Sequence, residues 1–331
     1  MTAPLLELQG ISRRFVQRLD FAAKVARLLG ADVREYSVQA VDTLSLTIHP
    51  GEVVGLVGES GCGKSTVGRI AVGILPQSAG SVRFEGQDTA ALRGKAATAS
   101  ALHRQMIFQD PYASLNPRMR IGELIGEAPR VHGVVSAAEL DGFVDGLLAE
   151  VGLQPSYKSR YPHQFSGGQR QRIAIARALA VRPKFLVCDE AVASLDVSIQ
   201  AQVLNLFMDL RERLHLTYLF ISHDLSVVEH LSDRVVIMYL GRVVEEAPTA
   251  ELFAKPNHPY TQGLLAEVPD VRHRKKVFAN IRGEIPSPLS PPQGCHFHPR
   301  CPHVSDRCRS EVPLLKEIAP GRRAACHLND G

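Results

Sequence analysis

The chain opens on an alternation of apolar and polar positions. Residues 5–15 read as a first strand, and Leu44, Leu46 and Ile48 alternate with Ser45 and Thr47 as in a half-buried strand. His49-Pro50-Gly51 turns the chain into a run of another kind, Val53, Val54, Leu56 and Val57, whose continuous apolar character suits a strand covered on both faces. Residues 81–86 alternate again, so a small antiparallel β element is expected beside a parallel core. Met106, Ile107 and Phe108 make a further short strand, and from about 117 to 163 the periodicity becomes helical, as over 139–151, which predicts an inserted helical subdomain. A helix follows over 170–180, with Ile173, Ala176 and Ala180 on one face and Arg170 and Arg177 on the other. Apolar strands at 184–190 and 218–221 and a hairpin over 234–246 around Gly241 complete an α/β pattern. Residues 21–29 place Phe21, Val25, Leu28 and Leu29 on one helical face, which suits docking on the domain or, alternatively, contact with a membrane surface or membrane partner.

Length and charge narrow the setting. A chain of 331 residues holds about two domains. A net charge of +4 does not call for nucleic acid as a partner, and the basic run 272–276 reads as a solvated loop. No run of eighteen apolar residues occurs, and the first ten residues lack a basic segment followed by an apolar core, so a cytosolic chain is expected. Six cysteines in a reducing compartment do not point to disulfides, and four of them fall in the last forty residues.

The candidate chemistry centres on residues 53–66, VVGLVGESGCGKST. The spacing G-x-x-x-x-G-K-[ST], behind a buried strand and ahead of a helix, describes a phosphate-binding loop. Backbone N–H groups of Gly58, Ser60, Gly61, Cys62 and Gly63 can converge on phosphate oxygens without side-chain obstruction, and the helix start adds about half a positive charge. Lys64 would reach the β- and γ-phosphates, the Ser65 hydroxyl would ligate Mg2+, and Thr66 continues the helix. Cys62 reads as a small packing residue within the loop.

Further candidates lie elsewhere. The strand 184–190 ends on two carboxylates, Asp189 and Glu190, at the edge where ligands of open α/β sheets bind. The strand 218–221 delivers Ser222, His223 and Asp224 to the same edge. Ser166 is a natural N-cap for the helix that follows Gly167, Gly168 and Gln169, and this glycine-rich helix start is a second anion site. Phe15 offers a ring for adenine to stack on, although an isolated strand Phe is more often core.

Together the phosphate loop, Gln109, the SGGQ run, Asp189-Glu190, Ser194-Leu195-Asp196 and His223 resemble the nucleotide-binding domain of an ATP-binding-cassette protein. More narrowly, QDPYASLNPR, YPHQFSGGQRQRIAIARAL, LDVSIQAQ and HPYTQGLLAEVP resemble the ATPase subunits of bacterial dipeptide and oligopeptide importers, most closely the second ATPase of the usual pair. Two positions depart from the family pattern: Ala191 stands where proline usually follows the carboxylates, and Phe165 where leucine usually opens the signature run. Neither removes a charged or phosphate-contacting group, so hydrolysis is expected to survive.

The resemblance implies a RecA-like P-loop core with an antiparallel β subdomain over residues 1–250, a helical subdomain inserted at about 110–165, and an importer-type extension over 251–331. It implies ATP hydrolysis with Glu190 polarising the attacking water, Gln109 sensing water and Mg2+, His223 contacting the γ-phosphate, and Asp189 with Ser65 holding Mg2+. Ser166 to Gln169 and Asp196 would serve the ATP of a second, related ATPase in a head-to-tail pair, usually a heterodimer. Two permease subunits and an extracytoplasmic solute-binding protein would complete a machine on the cytoplasmic face of the membrane, with short peptides as solute. Nickel, oligosaccharides and other small solutes use the same subunit pattern, and soluble cassette ATPases of translation or repair share the core motifs.

After Pro286 the sequence turns Pro-rich and loses periodicity, yet carries Cys295, Cys301, Cys308 and Cys326. So short a segment cannot bury a core of its own, and a metal centre would organise it. The loops between these cysteines are wider than zinc sites usually show and suit an iron–sulfur cubane. The resemblance points to a [4Fe-4S] cluster; Zn2+ with help from His296, His298, His303 or His327, and unligated thiols, are the alternatives.

Overall fold

The computed structural model describes residues 3–17, 36–266, 281 and 283–330. The amphipathic segment 21–29 and the basic run 272–276 lie outside the described residues. Two sheets organise the chain. In the first, β1 (Leu6–Gln17) pairs antiparallel with β2 (Tyr36–Ile48) on one side and with β4 (Ala79–Phe84) on the other, and β5 (Gln87–Asp88) closes the edge. Both long strands run further than the alternation indicates. Their outer ends, including Val16 and Tyr36, are exposed, so pairing rather than burial carries the extension.

The second sheet has eight strands. Its parallel part is β6 (Arg104–Ile107), β7 (Phe185–Asp189), β8 (Thr217–Ser222), β3 (Val53–Val57) and β9 (Arg234–Tyr239), in that spatial order. The continuous apolar runs explain the placement: β3, β7 and β8 are buried at every position. The strand β10 (Arg242–Pro248) then turns back antiparallel along β9.

The helical insertion packs Ile121–His132 and Leu140–Glu150 against the helix Gly167–Leu179 through Leu124, Ile125, Val144, Leu148 and Ile173. That last helix departs from the two-faced reading. Gln171, Ala174 and Ala178 are buried along with Ile173 and Ala176, because the insertion covers the face that would otherwise meet water. Arg177 is half-buried and donates to the Ser114 carbonyl. Phe165 is buried edge-to-face on Tyr157, which accounts for an aromatic ring where the family usually has leucine.

The C-terminal extension departs furthest from expectation. It joins the core sheet: β11 (Lys316–Ala319) and β12 (Arg322–Ala324) form a hairpin, and β12 pairs antiparallel with β10 through Glu245↔Ala324 and Glu246↔Arg323. Phe297 is buried in an aromatic cluster with Tyr239, Tyr260 and His258. The buried Glu245 carboxylate accepts the backbone N–H groups of Asn257 and His258, both at 2.8 Å, where the helix Pro259–Ala266 begins. Glu246 pairs with Arg234, which also reaches Glu52 at 2.8 Å, and with Arg323. The nucleotide-binding sheet therefore contributes directly to the order of the tail, through β12 on β10 and the ion pairs of Glu246.

His258 is buried, and its Nδ1 accepts the Tyr260 N–H at 3.1 Å. Burial lowers its pKa from 6.5 to about 4. Between those values the unfolded chain binds a proton that the folded chain refuses, so this group withdraws stability as pH falls from 6.5 toward 4. The loss is roughly 2 kcal/mol at pH 5. His258→Asn keeps an acceptor for Tyr260 but cannot titrate. Urea denaturation at pH 7.5 and pH 5 should show a smaller pH-dependent loss for the variant than for the parent by about that amount; equal losses would mean that His258 protonates freely in the folded protein.

Candidate functional site

The phosphate loop connects β3 to the helix Lys64–Ala71. Gly63 takes the N-cap position at φ 107°, and an added Cβ there would overlap the Ala40 carbonyl oxygen, so both conformation and space require glycine. Ser60 and Gly61 are exposed at the tip, while Cys62 is buried and its thiol pushed up, chiefly by that burial. Cys62 thus sits as a packing group. Lys64 is buried, and its ammonium donates to the carbonyls of Gly58 at 2.6 Å and Glu59 at 3.0 Å. The Ser65 hydroxyl donates to Asp189 Oδ1 at 2.8 Å, which joins the loop to the end of β7. Thr66 is half-buried in the first turn.

Parallel pairing sets the partners of this loop. Val57 at the end of β3 lies opposite Ser222, and Ile221 lies opposite Asp189, so the ends of three strands meet at one edge. Asp189 is buried, and desolvation, opposed mainly by the Ser65 hydrogen bond, lifts its carboxyl above the usual range. Glu190 adopts a left-handed backbone, φ 49°, while its N–H still reaches the Ile221 carbonyl at 2.9 Å. Such a turn costs a non-glycine residue about 1 kcal/mol and re-aims its side chain away from the strand direction. The Glu190 carboxylate accepts Gln109 Nε2 at 2.6 Å and lies 3.3 Å from His223 Nδ1. Gln109 follows β6 and His223 follows β8, so three strand ends converge on one carboxylate. Ala191 is buried directly behind this turn.

The second anion-binding start faces elsewhere. Ser166 and Gln169 form a reciprocal cap, with Gln169 N–H donating to Ser166 Oγ at 3.4 Å and Ser166 N–H to Gln169 Oε1 at 3.1 Å. A Cβ on Gly168 would overlap Ile199, so glycine allows this helix to approach the one at Val197–Leu214. Ser166, Gly167 and Asp196 are exposed, and beside Asp196 the Val197 side chain is 84% exposed. Among the described residues no hydrogen bond or ion pair joins Ser166, Gly167, Gly168, Gln169 or Asp196 to the chain's own phosphate loop. Phe15 is 40% exposed, with the Arg13 guanidinium 4.8 Å from its ring centroid.

Cys295, Cys301, Cys308 and Cys326 are half-buried free thiols. Burial pushes Cys295 up to about 11, with smaller contributions from the charges of the other three, so the four share one neighbourhood. The Cys295 N–H donates to the Cys308 carbonyl at 2.9 Å. Among the described residues no set of three or more His, Cys, Asp or Glu side chains is already arranged to hold a metal ion. His296 and His298 each turn Nδ1 to a carbonyl, of Leu240 at 3.0 Å and Cys295 at 2.9 Å, and His327 engages the Glu311 carbonyl and Asp330.

Sequence reasoning passed over Tyr260, Arg300 and the side chain of Glu59. The Glu59 N–H donates to Tyr260 Oη at 3.0 Å, and its carboxylate is gripped by both terminal nitrogens of Arg300 at 2.8 and 3.0 Å. The available signal was an acid inside an anion-binding loop, which needs a counter-charge. Its partner lies 241 residues away.

The family model described as ABC transporter matches residues 41–193, and the one described as oligopeptide/dipeptide transporter, C-terminal region, matches residues 244–308. The oligopeptide transport ATP-binding protein AppF of Bacillus subtilis (strain 168) is 48% identical over 98% of this chain and 97% of its own length. A probable peptide ABC transporter ATP-binding protein of Sinorhizobium fredii is 50% identical over 88% of this chain and 83% of its own. Among solved structures, cbiO1 from Clostridium perfringens, part of the ABC transporter complex cbiONQ, superposes with a TM-score of 0.62 at 26% identity, covering 76% of this chain and 91% of that one. The chain belongs to the ATP-binding-cassette ATPases, in the branch of oligopeptide and dipeptide importer ATP-binding subunits that carry the oligopeptide/dipeptide transporter C-terminal region.

Proposed function

We propose that this chain hydrolyses ATP to energise the import of short peptides through a membrane permease, with Glu190 as the base. The observation that carries the proposal is the convergence of Gln109, Glu190 and His223 beside a phosphate loop whose Ser65 is already bonded to Asp189. Ser65, Asp189 and Gln109 would hold Mg2+, which neutralises charge on the β- and γ-phosphates. Glu190 takes a proton from water as the water oxygen bonds to the γ-phosphorus and the bond to the bridging oxygen of ADP breaks. His223 donates to the γ-phosphate, and Lys64 moves from loop carbonyls to phosphate oxygens. Phe15 stacks on adenine through the ring face that Arg13 leaves open.

Glu190→Gln should retain ATP binding while turnover falls by about 10² to 10⁴. Fluorescent-nucleotide titration and single-turnover phosphate release check this, and hydrolysis at the parental rate would remove Glu190 from the role of base.

The exposed Ser166, Gly167, Asp196 and Val197 support pairing with a second cassette. In that pair Ser166, Gly167, Gly168 and Gln169 complete the partner's ATP site, and a related ATPase is the expected partner. A cleft of about 470 Å³ between the core and the helical insertion, lined by Gln105, Phe108, Leu124, Glu127 and Arg177, would receive a permease segment on the cytoplasmic side of the membrane. Among the described residues no helix is long and apolar enough to cross a membrane. The relatives' peptide names support peptides as solute. ATP hydrolysis by the purified native assembly, with its solute-binding protein loaded in turn with peptides, nickel chelate or oligosaccharide, should rise with peptides only. Stimulation by another solute alone would replace the substrate.

We also propose that the four tail cysteines hold a [4Fe-4S] cluster. Four free, half-buried thiols, with the Cys295 N–H bonded to the Cys308 carbonyl, are a suitable donor set, and both ring nitrogens of His327 are already engaged. Bound to them, such a cluster would crosslink residues 295–326. Anaerobic purification should yield a brown protein with about four irons per chain. A colourless, zinc-containing and iron-free protein would overturn the assignment.

A further inference from the structure

Glu59 puts a negative charge inside a loop that must bind a triphosphate. Three groups restrain it, two of them from the C-terminal extension: its N–H donates to Tyr260 Oη, its carbonyl accepts from Lys64 of the same loop, and its carboxylate meets Arg300 in a two-pronged ion pair. Arg300 is far from an incidental surface cation. Its side chain is 6% exposed, its guanidinium makes two charge-assisted hydrogen bonds to Glu59, and Nη1 also reaches Tyr239 Oη at 3.4 Å. The short 3-10 turn His298–Arg300, which is held by the Arg300 N–H to the Phe297 carbonyl and by Phe297 in the aromatic cluster, carries the guanidinium to the loop.

We infer that Arg300 is a positioning residue of the nucleotide site, by which the C-terminal extension neutralises Glu59 and fixes the phosphate loop for ATP. The inference rests on the reading of residues 58–66 as the ATP site. Its physical basis is electrostatic. Without Arg300, the Glu59 carboxylate would be released beside the incoming phosphates and would repel them; unit charges about 8 Å apart at an effective dielectric of about 20 interact by an amount that corresponds to more than a tenfold change in affinity. The same contact makes the geometry of the cysteine segment, one residue away at Cys301, part of the loop's support.

The test is a double-mutant cycle on the full chain, read as ATP affinity by equilibrium titration and as the split of kcat from KM in the purified assembly. Arg300→Gln should weaken ATP binding about tenfold, raise KM and leave kcat nearly unchanged, and the defect should shrink as ionic strength rises. Glu59→Gln, which removes the negative charge from the loop, should bind ATP at least as well as the parent. The double variant Glu59→Gln/Arg300→Gln should regain most of the lost affinity, and the urea midpoint of Arg300→Gln should stay close to the parent's; a loss of affinity that tracks a lowered midpoint would mean damage to the tail's folding and would overturn the inference. An Arg300→Gln variant that binds ATP like the parent, or a double variant as weak as Arg300→Gln alone, would overturn the inference. Lys64→Ala separates the two readings: if the parent binds ATP no better than Lys64→Ala does, the ATP site itself is misplaced; if the parent binds and Lys64→Ala does not, only the role of Arg300 is at stake.

Discussion

The parallel pairing of β3 with β8 and of β8 with β7 sets the positions of all the groups with chemistry to perform. Each strand is five or six residues long and buried throughout, so none can slip by one residue without exposing apolar side chains and unpairing backbone groups. That register brings the start of the phosphate loop, Asp189 and Ser222 to one edge within hydrogen-bonding reach of one another's neighbours. The edge is electrostatically unfinished on its own. Burial raises the Asp189 carboxyl, and the adjacent Glu190 charge adds to the same effect, which suits a place where a cation and a polyphosphate complete the charge balance.

The extension shows how a tail too short for its own core is ordered by borrowing one. Two successive residues of β10 do the attaching, and the two-residue period of a strand sends them to opposite faces. Glu245 captures the N–H groups at the start of the helix Pro259–Ala266, while Glu246 draws in Arg234 and Arg323. Buried carboxylates are costly unless fully paired, and here each has at least two donors. Removing a donor would leave a desolvated charge, so these contacts specify one docking geometry. Through Tyr260, Phe297 and Arg300 that geometry is passed on to the phosphate loop.

What the sequence made legible was local. The G-x-x-x-x-G-K-S spacing, the apolar strand that ends on two acids, and the S-G-G-Q helix start each span fewer than ten residues, and the physics that shapes them acts within that span. The convergence of Gln109 and His223 on Glu190 could be anticipated only through family likeness, because the three lie on separate strands. Three features escaped for the same reason. The ion pair of Glu59 with Arg300 joins opposite ends of the chain, β12 adds to β10 after an intervening tail without periodicity, and the helix Gly167–Leu179 is buried on the face that carries its polar residues because the insertion folds over it. Periodicity reports whether a residue faces a core, and it is silent when a second layer covers the other face.

Glu190 ties the chemistry to motion. Its left-handed backbone holds the carboxylate in a strained position that is kept by partners on either side: Gln109, at the entry to the helical insertion, and His223, at the end of a core strand. A hydrogen bond of 2.6 Å tolerates little displacement, so a rotation of the insertion by an ångström or more at Gln109 breaks it while leaving His223 in place. The insertion also carries one wall of the cleft at Leu124 and Glu127, opposite Phe108 of the core, and leads into the Ser166 cap. One rigid movement of that subdomain would therefore alter the cleft, the reach of the cap toward a neighbouring cassette, and the hydrogen bonding of the base together. Because Glu190's backbone is fixed by its own N–H to the Ile221 carbonyl, loss of the Gln109 bond would free the carboxylate without moving the strand end, which links movement of the insertion to the state of the base.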